Sequence, residues 1–107
     1  MPLAEKREVI CKVSERVGST WKKLARELEF EDGIINSIAE EDQEEKERCY
    51  RTLRRWCDYK GRDATVRKLM IALTKIGKAA VNNDIMRCLD LVKPYDLNTL
   101  LTLAPLP

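Results

Sequence analysis

Between Trp21 and Leu28 the apolar residues fall at Trp21, Leu24, Ala25 and Leu28. That is the i, i+3, i+4, i+7 spacing which lines one side of an α-helix. Lys22, Lys23 and Arg26 are left on the other side. A helix this short is unstable alone and must bury its stripe against neighbours. The period recurs along the chain, in short segments punctuated by glycine, proline and acidic turns.

The first helix is expected over about Leu3 to Val17, with Val9, Ile10, Val13 and Val17 inward and Gly18 as its stop. Ser19 or Thr20 can cap the second, which runs to Leu28. Asp32 can cap a short third helix holding Ile35 and Ile38. Asp42 and Glu45 have capping-box spacing and would start a fourth helix running to Lys60, with Cys49, Leu53, Trp56 and Cys57 inward. Gly61 ends it. Asp63 caps a fifth, whose Val66, Leu69, Met70, Leu73 and Ile76 face the core, and Gly77 ends that. The sixth presents Val81, Ile85, Cys88, Leu89 and Val92 and stops before Pro94. No segment alternates as a strand would. With short connections throughout, the chain reads as one all-α bundle.

A chain of 107 residues is the usual size of one domain. None of its four cysteines forms a Cys-x-x-Cys pair, and there is no histidine to complete a common zinc site. Cys49 and Cys57 on one helix would be about 12 Å apart, too far for a disulfide. All but Cys11 lie in apolar stripes, as small buried hydrophobes of a reducing compartment do. The N-terminal residues show no apolar core of signal-peptide length, and no apolar run approaches a membrane span. A cytoplasmic protein without metal or cofactor is the expectation, either whole or as one module of a longer chain.

Several pieces occur in a familiar order. Trp21-x-x-Leu24-Ala25-x-x-Leu28 comes first, then Ile35-x-x-Ile38. An acidic stretch leads into Leu53-x-x-Trp56, followed by Gly61, Ala64-Thr65-Val66 and Leu69. In this order the chain resembles the death domain over roughly residues 3 to 92, nearest in appearance to adaptor death domains such as that of the Fas-associated adaptor. The ankyrin and receptor-interacting-kinase subfamilies fit as well. The resemblance implies a six-helix antiparallel Greek-key bundle over residues 1–93, with 94–107 as a tail. It also implies a function in homotypic assembly with other death-domain proteins, in apoptotic or innate-immune signalling. Gly33 and Ile34 depart from the family pattern, and Ile34 beside Ile35 is expected to point outward.

Charge is segregated. Residues 1–47 carry a net −5, residues 48–78 a net +8 and residues 79–107 a net −1. Helix dipoles account for acids early and bases late on the fourth helix, but not for Lys60, Arg62 and Lys78, nor for Lys22, Lys23 and Arg26. Separated patches suit head-to-tail contacts that can propagate into helical oligomers. Carried over from the family, one contact surface would comprise Lys22, Lys23, Arg26, Phe30, Glu31, Asp32 and Ile34, facing the first and fourth helices of another molecule. A second would pair Arg55, Lys60 and Arg62 with Lys78, Asn82 and Asp84.

An enzyme is not expected, because no histidine, Gly-rich phosphate loop or nucleophile with a base partner is visible. The alternative reading is a nucleic-acid-binding domain using the basic segment 48–78. Against it stand a net charge of only +2 and the adjoining acidic run. The tail segment Leu97-Asn98-Thr99-Leu100-Leu101 matches a Leu-x-x-Leu-Leu docking pattern, which occurs often by chance.

Overall fold

The computed structural model describes residues 2–89. The proposed tail and Val92 lie outside these residues. Six α-helices follow one another: α1 (Arg7–Val17), α2 (Trp21–Glu27), α3 (Asp32–Glu41), α4 (Glu45–Lys60), α5 (Val66–Lys75) and α6 (Ala80–Cys88). Short 3-10 turns at Leu3–Glu5, Gly18–Thr20 and Gly61–Asp63 join or precede them. No β-strand occurs among the described residues. A single bridge pairs Pro2 with Thr65.

The packing is not sequential. Helix α1 lies against both α4 and α6, α5 lies against α2 and α6, and α3 packs on α4 and α2. This is the Greek-key arrangement of the expected bundle. At its centre Val9, Ile10 and Val13 of α1 join Trp21 and Leu24 of α2, Leu53 of α4 and Leu69 and Leu73 of α5, all essentially fully buried. The stripes read from the sequence are the stripes that are buried, with Met70, Ile76, Cys88 and Leu89 only partly covered at the edge.

Helix starts differ from expectation. The first segment breaks at Lys6, whose φ −118° and ψ 67° leave the helical region, so Leu3 belongs to a separate turn. Its amide donates to the Ala64 carbonyl at 2.7 Å, and this strap carries Leu3 into the core. Thr20 stands before α2 but its hydroxyl donates backward to the Val17 carbonyl at 2.8 Å instead of accepting from α2. Asp32 is the first residue of α3, not its cap. Asp42 makes no capping box, because its carboxylate is taken by Arg51 at 2.6 Å. For α5 the cap is Thr65, which accepts from the Lys68 amide at 3.2 Å, not Asp63. For Thr20 and Asp42 a neighbouring acceptor or donor engages the side chain in place of the helix amides.

Two helix ends share one geometry. At the end of α5, Gly77 has φ 80°, its amide donates to Thr74 and the Lys78 amide to Leu73. At the end of α2 the same pair of bonds runs from Glu29 to Arg26 and from Phe30 to Ala25, with Glu29 at φ 69°. This is the Schellman termination, which folds the second residue past the helix back onto its apolar side. Phe30 is that residue, and it is buried. The sequence concealed the turn because glutamate stands where glycine is usual.

Candidate protein-binding surface

The first expected surface lies on α2 and the start of α3. Lys22 and Lys23 are exposed there, and the Lys22 ammonium sits 6.0 Å from the Trp21 ring centroid. Arg26 is exposed and reaches Asp32 at 3.7 Å, bridging the two helices. Glu31 is exposed directly ahead of Asp32. All five of these charged side chains are exposed, three on α2 and two at the start of α3.

Two members of the expected set are corrected. Phe30 faces inward, its ring 5.8 Å from that of Tyr59, so it offers no side chain to a partner. Ile34 is half-buried and packed on the core beside Ile35, not turned outward. The third helix runs 10 residues, and Ile34 and Ala39 pack beside its buried Ile35 and Ile38.

The second expected surface divides into committed and uncommitted charges. Arg55 donates to Glu41 at 2.7 Å, and Arg51 to Asp42. Arg48 donates to the Asp42 backbone carbonyl at 2.6 Å. Three arginines of α4 thus clamp the end of α3 onto it. The hydrogen bond and charge of Asp42 hold the Arg51 proton more firmly than usual. Lys60 is exposed, 3.9 Å from Glu29, and sits in the last turn of α4, so that, contrary to the expectation from sequence, the helix dipole does account for it. Asp84 is mostly buried, with Arg16 at 3.1 Å and Arg87 at 3.2 Å, which ties α6 to α1. Asn82 donates to the Met70 carbonyl and the Thr74 hydroxyl. Arg62 is exposed in the turn after α4, and Lys78 is half-buried in the turn before α6. Neither has an ion-pair partner among the described residues.

Sequence reasoning missed the outward face of α5. Arg67, Lys68 and Lys75 are exposed there, and Ile71 between them is 48% exposed. The signal was present in their i, i+1, i+4, i+8 spacing, the complement of the buried stripe.

Cys49 and Cys57 are buried as expected, whereas Cys11 and Cys88 are half-buried. Burial pushes the Cys49 thiol up to about 12, partly opposed by a hydrogen bond from Ser14. Burial also pushes Cys57 up. No group of three or more histidine, cysteine or carboxylate side chains among the described residues is placed to hold a metal ion.

The family model of the Death domain matches residues 7–89, from the first residue of α1 to just past α6. The chain belongs to the death-domain family. Death domains are protein–protein interaction modules that bind other death-fold proteins, so the charged faces of this death domain are its candidate working surface. A search of curated proteins finds no match to the chain. No helix among the described residues is long and apolar enough to cross a membrane.

Proposed function

We propose that this death domain is a non-catalytic adaptor module of the cytoplasm. It binds other death domains and so links an activated receptor, sensor or kinase to effectors of apoptotic or innate-immune signalling. The observation that carries the reading is the family match over α1–α6 together with an exposed set of Lys22, Lys23, Arg26, Glu31 and Asp32 that the fold does not consume. The Arg26–Asp32 pair is solvent-exposed and worth at most about 1 kcal/mol to the fold. Arg26 is therefore available for recognition.

The interface would use charge for steering and register, as in other contacts between complementary patches. Arg26→Glu is expected to weaken association with death-domain partners at least tenfold, about 1.4 kcal/mol, while leaving helical circular dichroism unchanged. Binding isotherms and far-ultraviolet spectra of the variant check this. Unchanged affinity, or lost helicity, would contradict the assignment. Arg55 is a poorer site for such a test, since its reversal would break the bond to Glu41 that holds α3 on α4.

A further inference from the structure

On the outward face of α5, Arg67 and Lys68 occupy the first turn and Lys75 the last, around the exposed Ile71. Arg62 stands just ahead of the helix. None of these cations has an ion-pair partner among the described residues. The first turn of a helix is its positive end, where local stability favours acids, yet α5 has no acid there. At the junction of α3 and α4 the situation is mirrored. Glu40 lies in the last turn of α3, the negative end, where no base accompanies it. Glu40, Glu44, Glu45 and Glu47 are exposed and have no ion-pair partner among the described residues, while their neighbours Glu41 and Asp42 are engaged by Arg51 and Arg55.

Arg67 and Lys68 at the positive end of α5 and Glu40 at the negative end of α3 thus oppose their helix dipoles, whereas Lys75 in the last turn of α5 and Glu45 and Glu47 in the first turn of α4 suit theirs; the two patches are opposite in sign. They cannot satisfy each other within one molecule. The 16 residues of α4 separate them by about 24 Å, several times the ~8 Å screening length at physiological salt. We propose that the outward face of α5 docks onto the α3–α4 junction of a second copy of this chain. Cations on α5 meet the free glutamates, and Ile71 supplies the apolar centre. Because the two faces differ and lie at opposite ends of α4, the contact is head-to-tail and can repeat. This deepens the homotypic reading above and rests on it. Nucleic acid fits the α5 face less well, since Asp63 is exposed among the cations and would repel phosphate.

Charge swapping tests the contact. Arg67→Glu/Lys68→Glu puts acids at the positive end of α5, and Glu40→Lys/Glu44→Lys puts a base at the negative end of α3. Neither pair removes a core or ion-pair contact. In sedimentation velocity the wild-type chain is expected to associate at about 50 mM salt and to do so at least tenfold more weakly near 0.5 M. Each double variant alone is expected to associate at least tenfold more weakly than wild type. An equimolar mixture of the two is expected to recover wild-type association within about threefold, because one mixed contact is the native pair and the other is its complementary reversal. A monomeric wild type at low salt, variants that associate as wild type does, or a mixture that stays apart would each overturn the proposal. So would duplex DNA binding that Arg67→Glu/Lys68→Glu abolishes while self-association persists. If Arg26→Glu loses death-domain partners and both charge-swapped variants keep wild-type self-association, the homotypic reading stands and the α5 contact falls.

Discussion

Replacing Trp21 with alanine is expected to cost about 3–5 kcal/mol of folding stability, the range for removing a large buried aromatic. A domain of this size has roughly 5–15 kcal/mol in total, so the variant would be marginally folded or unfolded. Trp21 is 2% exposed and opens α2, a helix of only seven residues. A helix so short has no independent stability, so what orders it is the packing of its apolar stripe against α4 and α5. Urea denaturation followed by circular dichroism measures the effect. Lys22→Ala on the same helix should shift stability by no more than about 0.5 kcal/mol, because its side chain is solvent-exposed. Similar losses from both substitutions would contradict the division of α2 into a core side and a surface side.

Cys49 makes the second large effect, and its sign follows from burial. Its thiol is pushed up to about 12 in the folded domain, from an ordinary value of 9.0. The unfolded chain therefore loses this proton first as pH rises. Stability from Cys49 is fully present below pH 9 and is lost between pH 9 and about 12, at about 1.4 kcal/mol per pH unit. Cys49→Ala should remove most of that alkaline slope, measured as urea midpoints from pH 8 to 11. The same burial protects the thiol from alkylation. At pH 8 a thiol reagent should modify buried Cys49 much more slowly than half-buried Cys11. Equal rates at Cys49 and Cys11 in the folded domain would contradict the burial.

The helices and core were legible in the sequence because period and burial share one cause. Val9, Ile10 and Val13, or Leu69 and Leu73, can share a helical face only if that face is inward. Caps were less legible, since Asp42 and Asp63 have the right chemistry locally but tertiary geometry decided otherwise. Arg51 claims Asp42, and the Leu3 strap brings Ala64 inward, leaving Thr65 at the start of α5. Phe30 shows the limit for the candidate site. Its burial depends on a left-handed residue at Glu29, which no composition rule would place there.

Charges were legible as a map but not as partners. The alternation of −5 and +8 segments was visible. Which cations the fold consumes was not, because Arg55 finds Glu41 across 14 positions of sequence and Arg16 finds Asp84 across the bundle. Exposed charge without an ion-pair partner among the described residues remains on several faces, including Lys22 and Lys23 on α2, Arg67, Lys68 and Lys75 on α5, Glu40 and Glu44 at the α3–α4 junction, Arg54 on α4 and Arg7 on α1.

The central claim is that this chain works by binding other death domains through uncommitted surface charge. Affinity capture from cytosolic extract at physiological salt, with wild-type and Arg26→Glu baits and nuclease treatment throughout, tests it most directly. The account predicts that identified death-domain proteins are recovered on the wild-type bait and fall at least tenfold on the variant. Recovery of no death-domain protein, equal recovery on both baits, or a bound fraction that nuclease removes would contradict it.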